Sequence, residues 1–171
     1  MTDPVHGRVE RVVEIGFLIE NDRAEWEALT RRFNEHVGTE ISDDLYERTW
    51  RRLVTRDEIR GIAARLEDRM VGLAHYYFHT GLWHAGRCYL ADLFVAPEAR
   101  RRGIATAIVK WVARDAAEHD SPRLYWNTEL DNTDARALYD TVADYKGFIV
   151  YSYRRQPNTA PTGDRPSPGP Q

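Results

Sequence analysis

Arg100, Arg101, Arg102, Gly103 and Ala105 follow directly on an apolar run, Cys88 to Val95, that a single carboxylate, Asp92, interrupts. Such a run has the pattern of a central strand buried on both faces, and Pro97 ends it because proline gives no N–H to a ladder. Past the arginines, Ile104, Ala107, Ile108, Trp111, Val112 and Ala116 recur at helical spacing, so a helix starts at or just after Gly103. A strand that feeds a glycine turn at a helix N-terminus is a cradle for an anion. The first free N–H groups and the helix dipole attract negative charge, the arginines add to it, and glycine admits close approach. Alone, Arg-x-x-Gly-x-Ala is a weak pattern, and a basic loop reads equally as solvated surface. Two further groups are suited to proton transfer. Asp92 is a lone carboxylate in an apolar strand and needs a task or a partner. Tyr139 shares one helical face with Asn132 and Ala135 in NTDARALYD.

The elements that must position these groups read off in order. A first strand is expected near Val12 to Ile19. Asn21 and Asp22 are suited to cap a helix carrying Trp26, Leu29 and Phe33, and Ser42 a second through Leu45, Thr49 and Leu53. Strands follow over 59–66 and 70–78, turning at Glu67 to Arg69, then the central strand. A short strand at Leu124 to Thr128, a helix from Thr133 to Ala143 capped by Asn132 or Asp131, and a last strand at Phe148 to Tyr153 complete an α/β fold. It is a mixed sheet with helices on both faces. The domain is expected over residues 8–155, between a loose start at 1–7 and a Pro-rich, disordered tail at 156–171.

Composition narrows the function. A length of 171 residues suits one domain, and 42% hydrophobic with 30% charged residues is ordinary for a globular chain. A net charge of -3 argues against general nucleic-acid binding. No apolar stretch approaches the ~20 residues of a membrane span. The N-terminus lacks a signal-peptide pattern, and the lone Cys88 has no partner for an internal disulfide, so a cytoplasmic location is expected.

The stretch VGLAHYYFHTGLWHAGRCYLADLFV, the arginine loop, NTDARALYD and GFIVYSY together resemble the GNAT superfamily of N-acetyltransferases. Within it, the look is that of diamine or polyamine acetyltransferases and the related fungal histone/polyamine acetyltransferases. The resemblance implies the GNAT acyl-CoA N-acyltransferase fold and acetyl-CoA as co-substrate; no metal is expected, because no cysteine pair or carboxylate-flanked histidine motif accompanies the histidines. It carries the pantetheine contacts onto the backbone of Leu93, Phe94 and Val95, whose side chains read as core. The pyrophosphate falls on Arg100, Arg101, Arg102, Gly103, Ile104, Ala105 and Thr106, where Arg102 and Ala105 replace family glycine or small positions. Asn132 and Ala135 would line the coenzyme arm, Asn132 also serving as a helix cap. Tyr139 resembles the general acid that protonates the departing sulfur, a role within reach of a phenol of pKa about 10.

The general base is less legible. Polyamine acetyltransferases carry Glu-Asp where this chain has Ala91-Asp92, so the glutamate is missing and Asp92 remains. Strand alternation puts residues 91 and 92 on opposite faces, which argues against a simple exchange. His75, His79, His84 and Glu129 are the other candidates. His75, Tyr77 and His79 alternate along one strand face and suit an acceptor pocket, with Trp83, Trp126 and Glu129 beside it. Glu35, Glu40, Asp43, Asp44 and Glu47 suit an acidic rim that attracts a cation, or an ordinary solvated surface. The acceptor expected is a primary amine of a small molecule, transfer being direct because Cys88 lacks an activating histidine arrangement. The alternatives are a protein lysine as acceptor, or a non-catalytic acyl-CoA-binding module. A homodimer is a family-level expectation.

Overall fold

The computed structural model describes residues 12–83 and 86–153. The 1–7 start, His84 and the tail from Gln156 lie outside them. Four strands form an antiparallel meander: β1 (Glu14–Phe17), β2 (Arg60–Leu66), β3 (Arg69–His79) and β4 (Arg87–Val95). β5 (Arg123–Tyr125) joins parallel to β4, completing a five-stranded sheet in the order β1-β2-β3-β4-β5. The β2–β3 hairpin closes on Glu67 and Asp68, both at positive φ (52° and 64°), the two-residue turn whose twist matches the strands.

Helices cover both faces. α1 (Arg23–His36) packs on β3 and α2 (Asp43–Thr55) on β2, while α3 (Ile104–Glu118) crosses the opposite side from β1 to β5. Neighbouring β3 residues register the two sides: His75 bonds Trp26 of α1, and Tyr76 bonds Asp115 of α3. α1 buries Trp26, Leu29 and Thr30, and α2 buries Tyr46, Trp50 and Leu53. That stripe is rotated from the expected Leu45–Thr49–Leu53 face; Leu45 is exposed, because the larger Tyr46 and Trp50 bury more apolar area against Trp26. α3 inserts Ile104, Ile108, Val109, Val112 and Ala116, as its spacing requires. α4 (Thr133–Val142) starts at Asn132, whose side-chain oxygen accepts the N–H of Ala135.

Three strand expectations change. β1 is shorter than 12–19 and β5 shorter than 124–128. The last strand, Phe148 to Tyr153, is absent: this segment is irregular, with Phe148 74%, Tyr151 87% and Tyr153 92% exposed. A β-prone run becomes a strand only against a partner edge, and none lies beside it among the described residues. Among the described residues no helix is long and apolar enough to cross a membrane.

Candidate active site

The site grows from β4. β5 accompanies β4 only over Arg87 to Tyr89, so from Leu90 to Val95 that edge carries no strand partner among the described residues. Phe94 and Val95 are buried side chains, Phe94 against Phe33 of α1, so any contact from this stretch to a ligand on the open edge is through backbone groups. Leu93 is half-buried on the side of α3.

Within this stretch β4 carries a bulge. Leu90 pairs with Tyr76 and Asp92 with His75, leaving Ala91 as an extra residue. The expected alternation of residues 91 and 92 is therefore interrupted, and the argument from opposite faces fails at this point. Asp92 lies on the α1 side, directly opposite His75. Its carboxylate Oδ2 is 2.8 Å from His75 Nδ1, and Trp26 Nε1 donates to His75 Nε2 at 2.8 Å. Trp26 is fully buried and His75 nearly so, whereas the Asp92 side chain is 36% exposed. His75 thus belongs to this buried chain rather than to an open pocket wall. Trp26 was legible from sequence only as core; its indole N–H was the missed signal, since a buried tryptophan needs an acceptor.

β4 leads through a short 3-10 turn (97–99) to the arginine loop. Arg100 turns back, its Nε donating to Val95 O at 3.2 Å and its guanidinium lying over Phe94. Arg101 and Arg102 are exposed. Gly103 is the N-cap of α3 at φ 74°, and a Cβ there would meet nothing within 4 Å, so the helix start faces open space. Ala107 is the first residue to bond back, to Gly103 O, which leaves the N–H groups of Ile104, Ala105 and Thr106 for a ligand. These residues fit a bound pyrophosphate. Arg32 of α1 grips Glu98 through both guanidinium nitrogens (3.0 and 2.8 Å), holding the Glu98 carboxyl down to about 2. A cleft of about 260 Å³ opens here, lined by Arg32, Glu35, His36, Phe94, Pro97 and Arg100.

Just past β5, Trp126 packs on Tyr139 of α4, ring centroids 5.1 Å apart. Burial raises its phenol above the usual range, and its hydroxyl has no hydrogen-bond partner among the described residues. Asn132 and Ala135 lie on the same helix, Asn132 acting as its cap. Tyr77 sits beside Tyr89, and Tyr89 beside Tyr125, with centroids 5.4 and 5.1 Å apart; His79 Nε2 lies 2.9 Å from the Tyr125 hydroxyl. This aromatic cluster continues the β3 face beyond His75, and only Tyr77 and His79 of it were legible in the sequence. Trp83 is 82% exposed in the β3–β4 turn and joins no ring contact among the described residues, and Glu129 is exposed between β5 and α4. The acidic rim is largely neutralised: Asp43 pairs with Arg31, Asp44 with Arg48, and Glu47 with Arg51 and Arg23. Among the described residues no group of His, Cys, Asp and Glu could hold a metal ion.

The chain is similar to known N-acetyltransferases in sequence and in fold. D-amino-acid N-acetyltransferase HPA3 of Saccharomyces cerevisiae is 34% identical over 82 residues, 47% of this chain and 51% of that protein. Thialysine N-epsilon-acetyltransferase of Caenorhabditis elegans is 30% identical over 95 residues, 56% of this chain and 59% of that one. The chain thus spans about half the length of the curated relatives it matches. The solved structure of AAC(6')-Iy, in complex with a bisubstrate analog, CoA-S-monomethyl-acetylneamine, superposes with a TM-score of 0.74. That match covers 85% of this chain and 99% of that one at 16% identity, a likeness of fold alone. The model of the Acetyltransferase (GNAT) family matches residues 23–143, and the chain belongs to that family.

Proposed function

We propose that the protein is an acetyl-CoA-dependent N-acetyltransferase whose acceptor is the primary amine of a small molecule: a polyamine, an amino acid or an amine antibiotic. The observation that carries the reading is the open β4 edge, which runs from the bulge at Ala91 to the glycine-capped start of α3. The backbone of Leu93, Phe94 and Val95 would hold the pantetheine arm. The free N–H groups at Ile104 to Thr106, with Arg101 and Arg102, would hold the pyrophosphate, and Asn132 and Ala135 would border the arm. Arg100 serves the loop instead, tied to Val95 and Phe94. Acetyl-CoA, when bound, supplies an activated acyl carbon and a thiol leaving group.

The residues of the chain then divide the proton work. Asp92 attracts the acceptor ammonium and takes its proton, so that the neutral nitrogen attacks the acyl carbon directly. Tyr139 would give its phenolic proton to the sulfur as the C–S bond breaks, and the second proton shed by the nitrogen as it becomes an amide would pass through water to restore the phenol. A raised phenol pKa suits this task, because the group stays protonated until the sulfur needs it. Tyr77 and His79, with Tyr89 and Tyr125, form the aromatic wall for the rest of the acceptor, through apolar or cation–π contact. Trp83 and Glu129 lie further out on exposed loops and would serve only an extended acceptor.

The names of the relatives support a small amine: a D-amino acid for one, thialysine for another. A homodimer is part of the same reading, since exposed Phe148, Ile149, Val150, Tyr151 and Tyr153 form an apolar, β-prone run close in sequence to α4. Light scattering on a sizing column should give twice the 19.8 kDa of one chain. A reducing cytoplasm suits the single buried thiol.

The test is release of coenzyme A thiol from acetyl-CoA against spermidine, lysine, thialysine, D- and L-amino acids, an aminoglycoside and a histone-tail peptide. Turnover of one small amine well above the peptide is the expected result. Preference for the peptide would make a protein lysine the acceptor. Silence across the panel with acetyl-CoA bound would favour a non-catalytic acyl-CoA-binding module.

A further inference from the structure

We propose that Trp26 and His75 are positioning residues that set the Asp92 carboxylate as the base for the incoming amine. The inference rests on the acetyl-transfer reading above and deepens it, by naming what orients the Asp92 carboxylate.

The argument starts from the chemistry of the indole. Its N–H can only donate. Trp26 Nε1 lies 2.8 Å from His75 Nε2, so that ring nitrogen presents a lone pair, and the ring proton sits on Nδ1. Nδ1 lies 2.8 Å from Asp92 Oδ2, to which its N–H therefore donates. The direction of the chain is fixed: indole to imidazole to carboxylate. His75 is buried and both of its ring nitrogens are engaged, Nε2 by Trp26 and Nδ1 by Asp92, which leaves neither open to an incoming amine. Asp92 keeps its second oxygen, and its side chain is 36% exposed where the other two members are buried. The carboxylate is thus the one end of the relay that a ligand can reach.

The fold makes this arrangement rigid. Trp26 is fully buried, edge-on to Tyr46 and His75 and tilted on Trp50. The bulge at Ala91 brings Asp92 opposite His75. Because β5 leaves β4 at Tyr89, the oriented carboxylate stands at the start of the open edge. A base held by a buried donor retains one orientation while the amine arrives, and loss of such positioning costs about 100-fold in rate.

The test pairs spectroscopy with kinetics. In protein labelled with 15N-histidine, one imidazole should show the Nδ1–H tautomer with slowed proton exchange, and Asp92→Ala should abolish the slow exchange. With thialysine as the amine, or the best amine of the panel if that is another, His75→Phe should lower kcat/KM for the amine about 100-fold. KM for acetyl-CoA should stay within about twofold. His75→Asn, whose amide N–H replaces Nδ1–H, should recover a large part of the loss, and Trp26→Phe should fall between. An Nε2–H tautomer at His75 overturns the relay whatever the activity, and needs no variant to fold. Wild-type turnover with a folded His75→Phe that keeps its amine kcat/KM, or with no difference between His75→Phe and His75→Asn, overturns the positioning role and leaves the transfer reading intact. No turnover of any panel amine overturns the transfer reading, and the positioning role with it, even where the Nδ1–H tautomer is present.

Discussion

Asp115 of α3 is the acceptor at the centre of a buried polar group, and its removal should cost about 3 kcal/mol of folding stability. Arg60 Nη1 of β2 lies 3.0 and 2.9 Å from its two carboxylate oxygens, and the Tyr76 hydroxyl of β3 donates to it at 2.6 Å. The side chains of Arg60 and Asp115 are 18% and 8% exposed. Burial first, and the bond to Asp115 second, push the Tyr76 phenol well above its usual range, so this hydroxyl remains a donor. In Asp115→Ala, Arg60 keeps an unpaired charge, for which breaking a buried pair typically costs about 3–5 kcal/mol. The orphaned Tyr76 hydroxyl on its own accounts for about 1–3 kcal/mol of that. The lower end applies because Arg60 also lies over Phe78 and Phe17 near the surface, where water relieves part of its charge. Asp115→Asn keeps one acceptor and should lose about half as much. Ile104, Ile108 and Val112 remain buried in both variants, so α3 stays docked. The assay is urea unfolding at pH 7 followed by tryptophan fluorescence, with an unchanged m-value and a lowered midpoint. In a thermal scan about 3 kcal/mol corresponds to about 6–12 °C for a domain of this size. A loss below about 1 kcal/mol for Asp115→Ala would refute the reasoning, because exposed pairs give no more than that.

Further outcomes concern Tyr139, Gly103 and Cys88. Tyr139→Phe should lower kcat by about 10²–10⁴ with acetyl-CoA affinity retained; near-normal turnover would remove Tyr139 as the acid. Because burial raises its phenol, the alkaline limb of the wild-type rate profile should lie above the usual pKa of about 10 for tyrosine. Gly103→Glu places a carboxylate where an anion would bind, on a backbone at φ 74° that strains any side chain, and should weaken acetyl-CoA binding at least about tenfold by calorimetry. Unchanged affinity would put the phosphate site elsewhere. Cys88 is fully buried, and burial pushes its thiol up to about 12, so a thiol reagent at pH 8 should label it in urea but not in the native protein. A folded pKa above the unfolded value of about 8.5 contributes stability that is whole below that pH and is lost as pH rises towards 12. Rapid native labelling would contradict the burial.

Much of this protein was legible locally. The spacing of Ile104, Ile108, Val112 and Ala116 fixed α3, and glycine before it fixed where the helix starts, because both are properties of a few consecutive residues. Asn132 was readable as a cap for the same reason. The loop arginines were legible as charge but not as individuals: only the folded chain separates Arg100, bound back to Val95, from exposed Arg101 and Arg102.

What tertiary structure decided is whatever depends on a partner far along the chain. Phe148 to Tyr153 has the composition of a strand and forms none, because a ladder needs an edge that composition does not supply. The bulge at Ala91 arises in the pairing of β4 with β3, and it undid an alternation argument that was sound for an unbroken strand. Asp92 announced by its type that it needed a partner. Its partner is His75, 17 residues away, and that histidine's own donor is Trp26, another 49 positions distant. The sequence set the need, since a carboxylate in an apolar strand must be satisfied; packing α1 on β3 decided which groups satisfy it.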